Sequence, residues 1–376
     1  MKVYLDNAAT TPLADEVLEA MVPVIQNSYG NPSSAHSFGR EVRGIVEGSR
    51  RKVANMLKVT PGEIIFTSGG TEADNMAIKG AIYDLGVKHI ITTPIEHHAV
   101  LHTIEELAEK NNVEVHYLKL DQEGSINYAE LTELLASNTN CFVSLMHGNN
   151  EIANLLDINR VGTICRDHDA LFHSDTVQTM GHYPFDLEES KVDFITGAAH
   201  KFHGPKGVGF LYVNKRLKIK PLIYGGAQER DMRAGTENVY GIVGLAKALE
   251  LCNEQWQEHK DHILEVKNHM IEKLRAAFPS IYFNGKSASE QDSLYTVLNV
   301  MLPETDKAPM LLFNLDIKGV ACSGGSACSS GSSVGSHVLA ALKADANRPS
   351  VRFSFSRYTT KKEIDYTIEV LKDIYK

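Results

Sequence analysis

The stretch "AAHKFHGPKGVGFLYV" (198–213) sets Lys201 between His200 and His203, then continues with a glycine-proline turn and a short apolar run. A surface lysine needs no such setting, and a metal site would not take a cation at its centre. Other groups able to do chemistry follow neighbouring β-rich runs. "EIIFTS" leads into Gly69-Gly70-Thr71-Glu72, "HIITT" into Glu96-His97-His98, and "CFVSLMH" into Gly148-Asn149-Asn150-Glu151. "LFHSD" ends in Asp175, with Gln178 one turn on. Ligands of open α/β sheets bind at the carboxyl ends of the strands. A phosphate seat at a helix start, a histidine, an amide, an acid and a lysine are therefore expected to meet there. Singly, each reads as a cap or a satisfied loop group. Together they meet the needs of pyridoxal 5'-phosphate. It requires a lysine for its aldehyde, an acid to keep the ring nitrogen protonated, donors to the phenolic oxygen, a group stacked on the ring and a phosphate cradle.

The elements that must position these groups are legible from periodicity. Between about residues 60 and 215, short apolar, often β-branched runs alternate with segments such as "TEADNMAIKGAIYDLG", "HAVLHTIEELAEK" and "NYAELTELLAS", whose apolar residues recur at helical spacing. Thr71 and Asn127 are placed to cap two of these helices. Such alternation implies a mostly parallel sheet covered on both faces. "VDFITGAAH" and "GVGFLYVN" read instead as adjacent strands joined by a turn. A long helix is expected from roughly Glu237 to Phe278, and a helix of that length usually bridges two lobes, with a boundary near Gln255. Beyond it, strands at "IYFNG", "TVLNVML", "GVACS" and "VRFSFS" and helices at 308–317, 334–343 and 361–375 form a smaller α+β unit.

The 376-residue chain is 43% hydrophobic and carries a net charge of −9 with both signs interspersed. That balance argues against nucleic acid or an anionic membrane as the main partner. No apolar leader or membrane-length run is present, and five cysteines without a leader read as reduced thiols in a cytoplasmic protein. Cys328 stands apart in "CSGGSACSSGSSVGS" (322–336), a segment too rich in glycine and serine to hold a packed conformation by itself. "GSSVG" around Ser333 fits the letters of a hydrolase nucleophile elbow but lacks the strand before it and a well-separated histidine after it. A zinc site built on His200 and His203 is disfavoured by the intervening Lys201, and no metal is expected.

The blocks "YLDNAATTPL", "GNPSS", "TSGGTEADN", "EHHAV", "HGNNEI", "SDTVQTMG", "AHKFHGPKGVGFLYV", "QERDMRAGTENV", "GGSACSSG" and "VRFSFSRYTTKKEID" stand in this order along almost the whole chain. In this the sequence resembles the class V aminotransferase-like family, and closely the group I cysteine desulfurases of the NifS/IscS type. The resemblance implies a pyridoxal-phosphate-dependent transferase of fold type I. A large domain (14–255) would hold a mostly parallel seven-stranded sheet, and a small domain (1–13 and 256–376) would carry the cysteine loop. It implies that Lys201 forms the Schiff base, that His97 stacks on the ring and moves protons, and that Asp175 partners the ring nitrogen. Asn150 and Gln178 would reach the phenolic oxygen, and Gly70, Thr71 and His200 the phosphate. Thr236 would reach the phosphate of the other subunit's cofactor, making a homodimer. Asn31 and Arg352 would hold the substrate carboxylate, and Cys328 would be the nucleophile that takes sulfur from L-cysteine as a persulfide, leaving L-alanine. Lys206 and Cys322 would be structural. The sulfur would pass to an acceptor or iron–sulfur scaffold protein. Ala198 departs from the family, which usually has a serine on the phosphate here. A selenocysteine lyase or a small-molecule aminotransferase of the same fold is the nearest rival.

Overall fold

Strand and helix alternate through the first two thirds of the chain in the computed structural model, which describes residues 1–324 and 335–376. The opening elements are β1 (Val3–Tyr4), α1 (Asp15–Asn27), α2 (Ser37–Met56), β2 (Ile64–Thr67), α3 (Gly70–Tyr83), β3 (His89–Thr92), α4 (His98–Asn111) and β4 (Glu114–Tyr117). They continue with α5 (Tyr128–Ser137), β5 (Cys141–Ser144), α6 (Ile158–Asp167), β6 (Leu171–Asp175), α7 (Leu187–Ser190), β7 (Phe194–Ala198) and β8 (Gly209–Val213). The rest comprises α8 (Val239–Ala277), β9 (Tyr282–Phe283), β10 (Val297–Met301), α9 (Leu311–Ile317), β11 (Val320–Ala321), α10 (His337–Ala341), β12 (Ser350–Ser354) and α11 (Lys361–Ile374).

Seven strands form one sheet in the order β2-β8-β7-β6-β5-β3-β4. The pairs β7–β6, β6–β5, β5–β3 and β3–β4 are parallel, and β8 runs antiparallel to both β7 and β2. The short 199–208 connection allows only an antiparallel return. Because side chains alternate along a strand, Ile65, Ile90, Phe142 and Leu211 enter the core under α3 and α4. Phe66, Ile91, Val143 and Phe210 enter the opposite core with α1, α2 and the first half of α8. Both faces are thus covered, which explains why the strands read as unbroken apolar runs.

A second core gathers Val3 and Leu5 with the antiparallel sheet β12-β10-β9, α11 and the end of α8. The long helix is one uninterrupted element, about 58 Å at 1.5 Å per residue, capped by the Asn238 side chain, which accepts from Gly241 N. Its buried residues run to Cys252 in one core and resume at Ile263 in the other. Asn127 caps α5 as expected, accepting from Ala129 N and Glu130 N. Thr71 does not cap α3: the helix begins at Gly70 with Gly69 at the cap, so Thr71 already lies in the first turn. The helix expected at 308–317 opens with a 3-10 turn at 308–310, and the one expected at 334–343 is shorter, starting behind Ser336, whose hydroxyl accepts from Leu339 N.

Candidate active site

A cavity of about 390 Å³ opens where the carboxyl ends of the parallel strands meet β12. Gly70, Thr71 and Asp74 enter it from the start of α3, His97 from the start of α4, and Met146 and Asn150 from the loop after β5. Asp175, Val177 and Gln178 follow β6, Ala198, His200 and Lys201 follow β7, and Ala8, Ala9 and Arg352 close the far side. Its size is that of an ordinary small-molecule pocket.

The α3 end depends on tight backbone packing. A side chain at Gly209, the first residue of β8, would meet the Gly69 backbone at 2.8 Å, so only glycine lets this strand pass beside the helix start. His97 caps α4, its Nδ1 accepting from Ala99 N at 3.1 Å. That bond puts the ring proton of neutral His97 on Nε2. Burial is the largest influence on His97 and lowers its pKa, against the pull of Asp175. The turn before it is held by Glu96, fully buried, whose carboxyl accepts from Thr93 Oγ1 at 2.7 Å and Met146 N at 2.8 Å. Burial raises Glu96 to about 8, keeping it neutral near pH 7. Asn149 bridges the neighbouring loops by donating to Ile95 O and accepting from Glu151 N and Ile152 N, which fixes the backbone of Asn150.

Asp175 ends β6 in a fully buried position, and its carboxylate accepts from Val177 N at 2.9 Å. Burial, then the nearby Asp74 carboxyl, raises it to about 6. Asp74 is 1% exposed and is raised by burial to about 7, with a hydrogen bond from Thr196 opposing the rise. Its Oδ1 has no hydrogen-bond partner among the described residues, although His173 Nε2 lies 3.4 Å away. Burial lowers His173 to about 4, so its imidazole is neutral near pH 7 and the contact is not an ion pair. Donor atoms of Asp74, His97 and Asp175 all lie within 4.8 Å of one another.

The N-terminal segment is a strap across this floor. Lys201 Nζ donates to Ala8 O at 2.6 Å and Ala9 O at 2.9 Å, and Gln178 Nε2 donates to Ala8 O at 3.0 Å. His200 Nδ1 lies 3.3 Å from Thr10 Oγ1, and burial followed by the Lys201 charge lowers this histidine to about 4. Arg352, 1% exposed, pairs with Asp6 at 2.8 Å and donates to Asn150 O at 3.1 Å, while its Nε has no hydrogen-bond partner among the described residues.

Of the residues singled out from the sequence, Gly70, Thr71, His97, Asn150, Asp175, Gln178, His200, Lys201 and Arg352 meet in this one cavity. Asn31 and Thr236 are exposed and do not line it within the single chain. Cys328 lies outside the described residues. Cys322 sits just past β11, half-buried, with its thiol pushed up to about 12 by burial and then by Asp6. The sequence reading missed Asp74, Asp6 and the Ala8 and Ala9 carbonyls. Asp74 was in view one turn beyond Thr71, whereas backbone carbonyls leave no trace in residue type.

The residues present fit pyridoxal phosphate. A buried carboxylate raised in its pKa gains most from a cation beside it, which a protonated ring nitrogen is. Two buried polar atoms without hydrogen-bond partners among the described residues, Asp74 Oδ1 and Arg352 Nε, belong to residues of the cavity wall.

The class V aminotransferase family pattern matches residues 3–367. The cysteine desulfurase IscS of Dictyoglomus turgidum is 44% identical over 99% of this chain and 94% of its own. A putative cysteine desulfurase IscS 1 of Bacillus subtilis is 44% identical over 100% of this chain and 99% of its own. Among solved structures, a NifS-like protein superposes with a TM-score of 0.91 at 37% identity, covering 100% of this chain and 99% of its own. SspA in complex with cysteine gives 0.80 at 32% identity, over 96% and 100% of the two chains. With a single pattern spanning both cores and relatives matched end to end, the chain belongs to the class V aminotransferase family.

Proposed function

We propose that this chain is a cysteine desulfurase that uses pyridoxal phosphate to convert L-cysteine to L-alanine and passes the sulfur on as a persulfide of Cys328. The observation that carries the reading is the convergence of Lys201, Asp175 and His97 on one cavity, in a chain whose full-length relatives bear that activity in their names. Bound pyridoxal phosphate supplies an aldehyde that condenses with amines and a protonated ring that accepts electrons from the substrate Cα. Asp175 would hold the proton of the ring nitrogen, and the Gly70–Thr71 helix start with His200 would seat the phosphate. Asn150 and Gln178 would hold the phenolic oxygen.

Lys201 takes the Cα proton and returns it, its amine positioned by the two strap carbonyls. Arg352 grips the substrate carboxylate with its guanidinium, and Asn31 assists. His97, neutral with its proton on Nε2, handles the proton of the substrate thiol. The Cys328 thiolate attacks the substrate sulfur, the Cβ–S bond breaks, and the two protons of the thiols end on the alanine methyl and the persulfide. Atoms balance: one cysteine and one enzyme thiol give one alanine and one enzyme persulfide. Cys322, with so high a pKa, is a poor nucleophile.

The finer assignments belong to the same proposal. Two cores joined by α8 support the division into 14–255 and 1–13 with 256–376. A homodimer with Thr236 at the partner's phosphate and an iron–sulfur scaffold or other acceptor for the sulfur complete it. The thiols of Cys141, Cys165, Cys252 and Cys322 are free, which supports a cytoplasmic setting. No helix among the described residues is long and apolar enough to cross a membrane.

The test follows visible absorbance and alanine release from L-cysteine without any keto acid. Wild type should be yellow and active, Lys201→Ala should lose the Schiff-base band, and Cys328→Ser should keep the band but lose turnover. Cys322→Ser should keep most turnover. Equal losses at both cysteines, or colourless protein indifferent to added coenzyme, sink the assignment.

A further inference from the structure

The other end of β3, away from His97, carries a cluster that the proposed chemistry does not use. His89 opens β3, and Glu114 and His116 stand at alternate positions of the edge strand β4. The parallel register pairs His89 with Glu114 and Ile91 with His116, which places all three side chains on one face. Ile91 belongs to the core into which α5 sends Leu131 and Leu135, so the cluster sits on the rim of that packed face.

Its geometry is that of a ligand set. His89 Nδ1 lies 3.3 Å from His116 Nε2, and the Glu114 oxygens lie 3.6 Å from His89 Nδ1 and 3.8 Å from His116 Nε2. The two rings stack with centroids 5.5 Å apart. Ligands about 2.05 Å from a tetrahedral zinc ion stand roughly 3.3 Å from one another. The three donors therefore surround a point that a first-row cation fits after a shift of a few tenths of an ångström. Both histidines are mostly covered, their side chains 23% and 17% exposed, while Glu114 is 65% exposed and leaves an approach from solvent. Without an ion, two nitrogens facing each other share at most one proton.

We propose that His89, Glu114 and His116 form a binding site for a divalent transition ion, Zn²⁺ foremost, which ties the edge strand β4 to β3. Two imidazoles and one carboxylate suit zinc, nickel and copper and disfavour magnesium and calcium. Water completes the coordination on the solvent side. The ion acts as a pin: β4 has a partner on one side only, and a bond across its start opposes fraying and edge pairing. The site lies at the amino ends of the strands, whereas the coenzyme cavity lies at the carboxyl ends, so its loss leaves desulfuration intact.

The test uses full-length, coenzyme-loaded protein stripped with a chelator, then titrated with Zn²⁺ against a chromophoric competitor, alongside His116→Ala, His89→Ala and Glu114→Gln. Wild type should bind one Zn²⁺ per chain at this site, with a rise in thermal midpoint. Each variant should weaken that binding by at least ~10–100-fold, the usual cost of losing even an outer-sphere partner, while keeping coenzyme absorbance and turnover. Co²⁺ in place of Zn²⁺ should give d–d bands without a thiolate charge-transfer band. Zinc binding unchanged in both histidine variants overturns the proposal, as does a Co²⁺ spectrum dominated by thiolate ligation.

Discussion

Replacing Lys267 by methionine should remove a pH dependence of stability that the wild type carries. Lys267 lies on α8 with 1% of its surface exposed, and its Nζ donates to Ser293 Oγ at 3.0 Å and Leu294 O at 2.9 Å. No carboxylate pairs with it among the described residues, and burial lowers its pKa from 10.5 to about 7. That fall corresponds to roughly 5 kcal/mol against carrying the charge inside. The folded pKa is the lower one, so between about pH 7 and pH 10.5 the unfolded chain holds a proton that the folded chain does not. Stability therefore rises with pH through this window, is flat below it where both states are charged, and reaches its full value above it. At pH 7.5 the penalty is about 4 kcal/mol and at pH 9.5 about 1 kcal/mol, a gain of roughly 2–3 kcal/mol over two pH units. Methionine keeps the length and fills the space but removes the two Lys267 bonds, leaving Ser293 Oγ with Ser289 O and Leu294 O with Val297 N, at a cost of about 1–3 kcal/mol that does not vary with pH. Urea unfolding of both proteins at the two pH values separates slope from offset, because other titrating groups cancel in the difference. Wild type should gain on the variant by roughly 2–3 kcal/mol from pH 7.5 to 9.5. Parallel pH profiles would show that Lys267 is solvated or paired in the folded protein, and the burial argument would fail.

Two further outcomes test the cavity. Ala198, 1% exposed on its wall, stands where the family usually has a serine on the phosphate. A restored hydroxyl could add one charge-assisted bond of about 1.5–3 kcal/mol, so Ala198→Ser should leave coenzyme affinity unchanged or tighten it. Equilibrium dialysis checks this, and a marked loss refutes it. Asp74→Asn removes the carboxyl that helps raise Asp175. The variant should hold its coenzyme to lower pH than wild type, because Asp175 then stays ionised further into the acid range. Superimposable acid limbs in a spectrophotometric pH titration would show that the two carboxyls do not communicate.

Much of the architecture was legible because the core is two-sided. The runs around Phe66, Val143 and Phe210 announced themselves as strands buried on both faces, and the two apolar stretches of α8 announced the two hydrophobic cores it enters. Following each strand to its carboxyl end found His97, Asn150, Asp175 and Lys201. It did not find Asp74, which enters from a helix one turn in, nor the strap, whose contribution is main-chain oxygen. The misplaced cap at Thr71 has a related cause. Serine and threonine advertise helix starts through their side chains, whereas Gly69 serves through backbone freedom alone. The β3–β4 cluster was hidden for another reason: its histidines are 27 residues apart, and only the strand register makes them neighbours.

The strap also has a consequence for biosynthesis. Val3 pairs with Val320 and Asp6 reaches Arg352, 346 residues further on, so this segment finds these partners only long after it has itself been synthesised. The carbonyls beneath the Lys201 amine come from that same early segment. The cavity is therefore completed only when the segment around Asp6 to Ala9 meets both the Lys201 turn and β12.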